Sequence, residues 1–399
     1  MSSASSDTAE HPEEATRAFS EPRSARVPSP HGAVHMVDDP LFDEHQARGH
    51  HPERPERLAA ARRAVERCVD EGLRPLMLTP RDATDEEILR AHEPAYLKTL
   101  QELEGQWTML DADTYLSPVS LSASRRAAGG ALSLVDALLD QPSPSAAGAS
   151  SPSVGFALLR PPGHHATRRV GMGFCLLDNV AIAAYGALQR GLQRVAIVDW
   201  DVHHGNGTQD IFWQDPRVLF ISLHQWPFYP GTGMTTEVGE GEGRGYTVNV
   251  PLSEGANDAV YCAAFDQIVL PVLAEYAPEL ILVSAGYDAH ERDPLASMRV
   301  TASGYGSMTK KLRAAARTSA EGRLGLILEG GYSLTALETS VAATLRALTA
   351  DAPEVAGGDG DGAGRDESED VELHGPVSPR HQSEIDRARR HAQRHWPNL

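Results

Sequence analysis

Along the middle of this chain, short apolar runs rich in β-branched residues alternate with longer segments of helical periodicity. No other feature limits the fold as tightly. The runs are VGFALL (154–159), RVAIVDW (194–200), VLFISL (218–223), YTVNV (246–250), LILVSA (280–285) and LGLIL (324–328). Helical patterns cover 55–71, 122–140, 176–190, 258–276, 303–319 and 333–349. A strand that is apolar at every position has no face to give to water, so it must be covered on both sides. The alternation therefore predicts an α/β domain with a mostly parallel central sheet and helices on both faces.

Polar clusters follow these runs directly. RPPGHHA follows the first, DWDVHHGNG the second, HQWPFYPGTG the third, GYDAHERDPL the fifth and EGGYSL the sixth. Open α/β sheets carry their sites at the carboxyl ends of the strands, so five such ends imply one composite site. In VDWDVHHGNGTQ (198–209), residues two apart at a strand end point the same way, which lets Asp201 and His203 reach one ion together. Asp199 has the same parity but lies deeper, and His204 points to the other side. Asp288 in SAGYDAH is the natural third ligand. Two carboxylates and one imidazole leave a position open, the mark of a catalytic rather than a structural zinc site.

The paired histidines of RPPGHHA, His164 and His165, supply imidazole bases suited to a metal-activated water near neutral pH. Neighbouring rings need different partners to hold different protonation states, and Asp199 and Asn206 are the spare acceptors. Tyr332 follows two glycines after a strand and can present a phenol to a developing oxyanion.

Composition narrows the partners. The 399 residues carry 36 Lys and Arg against 55 Asp and Glu, a net charge of −19, which argues against nucleic acid as a partner. Cys68, Cys175 and Cys262 are isolated and odd in number, so neither a disulfide framework nor a CxxC metal pair is expected. The start has no basic region leading into an apolar one, and no apolar stretch approaches the ~20 residues of a spanning helix. Together these features suggest a cytoplasmic protein with no membrane contact. Residues 1–31 read as a disordered tail, 141–153 as a loop, 32–350 as the catalytic domain, 351–376 as an acidic Gly-rich linker, and 377–399 as a helix packing back on the domain.

RPPGHHA, GFCLLDNVAIAA, VDWDVHHGNGTQ, SLHQWPFYPGTG, SAGYDAHERDPL and LEGGYSL, with HHPERPERL (50–58), resemble the arginase-fold histone deacetylase family in its zinc-dependent class II form. The resemblance runs from about His35 to Ala350. Within the family it is similar to bacterial histone-deacetylase-like amidohydrolases, with acetylpolyamine amidohydrolases as near relatives. It implies a single arginase/deacetylase-type domain that hydrolyses the amide of acylated lysine side chains.

By position, the resemblance implies Asp201, His203 and Asp288 as the zinc ligands, His165 as general base and then acid, and His164 as its partner. Asp199 would orient His164, Asn206 would orient His165, and Tyr332 would hold the oxyanion. Asn206 carries no charge, so His165 should be less basic than beside an aspartate. Structural potassium is also implied, at an inner site of Asp199, Asp201, His203, Ser222 and Leu223 and an outer one of Phe212, Asp215, Val218 and Tyr246. Gly173 and Phe174, Phe228 or Tyr229, and Leu295 match the wall of an acyl-lysine tunnel, and Asp113 matches an acceptor at its rim. Arg57 matches an internal arginine; read from the residues alone it is a solvated side chain in a first helical turn.

An apolar Leu295 favours a single acylated lysine, whereas polyamine-preferring animal relatives place an acid there. Expected substrates are therefore an acyl-lysine protein or peptide, or an acylated small amine. A homo-oligomer is left open. An acetylpolyamine amidohydrolase is the nearest alternative. A non-catalytic acyl-lysine binder and a two-manganese ureohydrolase stand further off.

Overall fold

The computed structural model describes Met1 and residues 32–140, 153–350 and 376–399. The expected tail, the 141–153 loop and the 351–376 linker lie, apart from Met1, Ser153 and Pro376, outside the described residues. Among the described residues, ten strands follow in chain order: β1 (Ala33–Val37), β2 (Arg74–Leu78), β3 (Thr108–Met109), β4 (Tyr115–Leu116), β5 (Val154–Ala157), β6 (Val195–Asp199), β7 (Val218–Gln225), β8 (Thr247–Leu252), β9 (Leu280–Ala285) and β10 (Leu324–Leu328). Eight form one sheet in the order β2-β1-β5-β10-β9-β6-β7-β8, while β3 and β4 make a small antiparallel pair. Every pairing in the large sheet is parallel.

Every residue of β6, β7, β9 and β10 is buried, which is why these strands read as unbroken apolar runs. Helices flank the sheet: Leu334–Thr349 packs on Glu56–Asp70 and Ala302–Ser319, and Ser120–Leu139 packs on Asn179–Gln189. The apolar runs do not foresee four strands, the two-residue β3 and β4 and, in the large sheet, β1 and β2. β1 is interrupted by His35, and β2 is the sheet's outer strand, with Leu76 and Met77 exposed and Pro75 inside it. A proline that would break a central ladder is tolerated at an edge.

The segment Asp258–Tyr276 overturns one expectation, since its 19 residues are long and apolar enough to cross a membrane by length and composition. Here it serves the core. Val260, Ala264, Phe265, Ile268, Val272 and Leu273 are buried, and a π-turn over Phe265–Val269 lies in its middle.

The helix Pro379–Ala392 lies against β8 with Ile385, Ala388 and Ala392 buried. Its Glu384 Oε2 accepts from the Ser253 amide (2.9 Å) and hydroxyl (3.1 Å). Beyond it, the Trp396 indole donates to the Gly245 carbonyl at 2.9 Å. The sheet order explains the site: β5, β10, β9, β6 and β7 are consecutive neighbours, so the five polar clusters that follow them share one edge.

Candidate active site and metal centre

β6 ends at Asp199, so Asp201 and His203 lie past the strand and strand parity does not hold them. Two carboxylate-capped bends do that work. Asp199 Oδ1 accepts from the Asp201 amide at 3.0 Å, and Asp201 Oδ1 accepts from the His203 amide at 2.9 Å. Asp288, just past β9, ties the bend to the neighbouring strand by accepting from the Val202 amide at 2.8 Å. Asp201 Oδ2 accepts from the Gly330 amide at 2.8 Å, past the end of β10.

These constraints leave one donor atom each from Asp201, His203 and Asp288 within 4.8 Å of one another. His203 Nδ1 is 3.1 Å from Asp201 Oδ1 and 3.2 Å from Asp288 Oδ2. Asp288 Oδ2 is buried with the His203 ring as a polar neighbour but in no well-formed hydrogen bond, so it is open to a cation. Burial, reinforced by repulsion from Asp201, pushes the Asp288 carboxyl up to about 7. Burial opposes charge on His203, but Asp201 and Asp288 outweigh it and raise the ring to about 10. One nitrogen and two carboxylate donors crowded in this way fit a divalent metal of the zinc type. Gly330 makes the crowding feasible, because a Cβ there would lie 2.1 Å from Asp288 Oδ2 and 2.5 Å from Asp201 Oδ2.

His164 and His165 stand beside this triad with ring centroids 4.0 Å apart. Their partners differ in charge. His164 Nδ1 bonds Asp199 Oδ2 at 2.9 Å, and His165 Nδ1 bonds Asn206 Oδ1 at 2.7 Å. Burial works against charge on both rings. For His164 the carboxylates of Asp201 and Asp199 overcome it and hold the ring well above its ordinary value. For His165, the cationic His164 and His203 add to burial and hold it well below. Because Nδ1–H donates to an amide oxygen, His165 presents Nε2 as an acceptor.

Tyr332 comes from the far side, its ring edge-on to Phe174 at 5.8 Å. Arg57 is not solvated: it is fully buried, with its guanidinium 5.0 Å from the Tyr332 ring centroid. It donates to the carbonyls of Gly331 (2.7 Å) and Glu329, and to Glu53 Oε1 at 3.2 Å. Glu53 also pairs with the buried Arg160 through both its oxygens. A place in a first helical turn alone would leave Arg57 in solvent, but that turn lies under the β10 loop, and Arg57 is internal as the resemblance implies.

Of the other expected positions, Phe228, Tyr229, Gly173 and Phe174 lie against the rings of His203, His165 and Tyr332. Phe228 stacks on His203 (5.2 Å, 19°), and the half-exposed Tyr229 sits edge-on to His165 at 5.2 Å. Gly173 has φ +54°, and a Cβ there would lie 2.5 Å from His165 Cδ2, so the wall at this point admits only glycine. Phe174 itself adopts φ +70°, with its amide donating to Thr114 Oγ1 at 3.1 Å. The carbonyl of Asp113, next to Thr114, accepts from His51 Nε2 at 3.1 Å, and the His51 ring packs edge-on against Phe174 at 4.8 Å. Leu295 is partly buried in the loop after β9.

Of the nine positions expected around potassium, Ser222 is in register with Asp199 across β6 and β7, with Leu223 buried beside it. Phe212, Asp215 and Val218 follow one another around a turn, with the Asp215 amide donating to the Phe212 carbonyl at 3.1 Å. The Tyr246 carbonyl accepts from the Phe220 amide at 2.8 Å.

Further buried groups support the site, and the sequence marks them only faintly. Glu329 Oε2 accepts from the Gly163 (2.7 Å) and His164 (3.3 Å) amides, so it orients the histidine loop. Burial pushes that carboxyl up to about 8. Asp293 accepts from the Tyr332 amide at 2.7 Å. His204 does point away from the metal triad: its Nδ1 bonds Thr232 Oγ1 (2.7 Å) and its Nε2 bonds Gln209 Oε1 (3.0 Å), which pins the loop that carries Phe228 and Tyr229.

A probable deacetylase of Archaeoglobus fulgidus is 42% identical over 304 residues, covering 75% of this chain and 82% of the relative. The human polyamine deacetylase HDAC10 is 41% identical over 327 residues, covering 76% of this chain and 46% of HDAC10. The crystal structure of an HDA15 HD domain superposes with a TM-score of 0.79 at 34% identity, covering 92% of this chain and 97% of that one. The histone deacetylase domain matches residues 51–348, and on that match, together with the shared fold, the chain belongs to the histone deacetylase family.

Proposed function

We propose that this protein is a zinc-dependent amidohydrolase that removes acyl groups, acetyl in the first instance, from lysine side chains of proteins or peptides. The observation that carries the reading is the pair of adjacent histidines with unlike partners, Asp199 for His164 and Asn206 for His165, beside the Asp201–His203–Asp288 donor set. One neutral and one cationic imidazole at 4.0 Å is what a site that must first take and then give a proton requires.

Asp201, His203 and Asp288 would hold zinc, which when bound supplies Lewis acidity toward the substrate carbonyl and toward water. His165 Nε2 takes the proton from water as its oxygen adds to the carbonyl carbon, while Asn206 fixes the ring by accepting from Nδ1–H. His164, kept cationic by Asp199, stabilises the negative charge that develops. The Tyr332 hydroxyl donates a hydrogen bond to the new oxyanion. As the carbon–nitrogen bond breaks, His165 returns its proton to the departing lysine amine, leaving a carboxylate and a free side chain. Phe174, Phe228, Tyr229 and Leu295 give the aliphatic stem an apolar wall, and Asp113 at the rim would accept from the substrate backbone. Potassium in the two oxygen-rich sets, through Asp199, Asp201, His203, Ser222 and Leu223 and through Phe212, Asp215, Val218 and Tyr246, would brace the loops beneath. Cys68 and Cys175, buried thiols outside any disulfide, suit a reducing, cytoplasmic setting.

The likeness to HDAC10 favours a second reading, an acylated polyamine as substrate. Leu295 speaks against it, because it offers no charge to a second ammonium. Turnover of acetyl-lysine peptides compared with acetylated putrescine and spermidine, with and without chelator, separates the two. Hydrolysis of polyamines alone would sink the lysine reading, and turnover indifferent to chelator would sink the zinc.

A further inference from the structure

One buried carboxylate outside the groups assigned above joins two loops of the site. Asp293, 7% exposed, divides its oxygens between them. Oδ2 accepts from the Tyr332 amide at 2.7 Å and the Ser333 amide at 3.2 Å, in the loop after β10. Oδ1 accepts from the Leu295 amide at 3.0 Å, in the loop after β9. From the opposite side Arg57 takes the Gly331 and Glu329 carbonyls. Gly331 has φ +118° and would let the following residue swing. The direction of the phenol is therefore set by what grips the backbone on either side of it, and on the amide side that is Asp293.

We propose that Asp293 is a positioning residue: its carboxylate aims the Tyr332 hydroxyl and, through its other oxygen, sets the spacing between that phenol and the Leu295 wall. Turnover and acyl-chain tolerance then depend on one group that touches neither metal nor substrate. The inference rests on the oxyanion role given to Tyr332. Charge-assisted bonds to amides hold such geometry better than neutral ones, and an ångström of misplacement is enough to cost ~100-fold in rate.

Asp293→Asn tests this, because a carboxamide has one acceptor and can serve only one of the two loops. Wild type, Asp293→Asn, Tyr332→Phe and the double variant are compared for kcat and KM on acetyl- and longer acyl-lysine peptides, with zinc content and melting temperature recorded. The expected result for Asp293→Asn is a loss of about 10- to 100-fold in kcat with little change in KM or zinc, together with an altered ratio of long- to short-acyl turnover. In the Tyr332→Phe background the same change should cost less than about threefold, since the group it aims is gone. Wild-type kcat in Asp293→Asn, or an equal loss in both backgrounds, overturns the proposal. If Asp293→Asn does not fold, Asp293→Glu, which keeps the charge but shifts it by a methylene, enters the same cycle. A loss in Tyr332→Phe without one in Asp293→Asn overturns this inference alone. A wild-type enzyme inactive on every acyl-lysine overturns the functional reading beneath it.

Discussion

Gly330→Ala places a single methyl group where the proposed metal ligands meet. The added Cβ would fall 2.1 Å from Asp288 Oδ2 and 2.5 Å from Asp201 Oδ2. A carbon needs ~3.5 Å from a non-bonded atom, so one carboxylate must retreat by more than an ångström or the β10 loop must lift. Lifting the loop breaks the 2.8 Å bond from the Gly330 amide to Asp201 Oδ2, so neither route is free. Metal–ligand distances tolerate only ~0.2 Å, and even disturbing a partner of a ligand typically costs 10- to 100-fold in metal affinity. The expected loss of zinc affinity is therefore at least ~100-fold. Competition against a chromophoric chelator measures it, and circular dichroism and melting temperature establish that the domain stays folded. A folded Gly330→Ala protein that binds zinc within a few-fold of wild type would refute the placement of the site.

Other expectations follow from the same geometry. Tyr332→Phe should lower kcat by ~100- to 1000-fold, the usual cost of one oxyanion donor, with zinc content unchanged; near-normal turnover would remove the phenol from the chemistry. Leu295→Glu should shift preference from acetyl-lysine peptides toward acetylated polyamines, read as the ratio of kcat/KM values, and an unchanged ratio would show that this position does not select substrate. His92 links stability to pH. Its Nδ1 bonds the Thr167 carbonyl at 2.8 Å and its Nε2 accepts from the Asp178 amide at 3.0 Å, an arrangement only the neutral ring satisfies. Burial accordingly lowers its pKa from 6.5 to about 4. A lowered native pKa stabilises the fold above pH 6.5, and that stability is lost as pH falls toward 4. Wild type should thus lose roughly 2 kcal/mol more between pH 7 and pH 5 than His92→Gln does; parallel urea-unfolding profiles for the two proteins would contradict this.

How much of this was legible in the sequence depended on where each residue's partners lie. β6, β7, β9 and β10 are buried at every position and so announce themselves. β2 is an edge strand with three exposed residues of five, and its pattern resembles a loop. Asp201, His203 and Asp288 are legible together because they follow β6 and β9, which are neighbours in the sheet, although carboxylate-capped bends rather than strand parity hold the first two. Glu329 and Asp293 escaped notice because their partners are backbone amides, which leave no mark in a sequence. Glu53 and Arg160 escaped because 107 residues separate them. An isolated acid at a strand end or before a proline, as in LEGG and RDPL, is the faint signal that both amide-binding carboxylates share.

One catalytic metal held by Asp201, His203 and Asp288 is the centre of the proposed mechanism. Chelated protein titrated with zinc, with acetate release from an acetyl-lysine peptide read at each addition, tests that claim most directly. Activity should be absent at the start, rise linearly and level off at one equivalent. Activity before any zinc is added, or a plateau only at two equivalents, would contradict it.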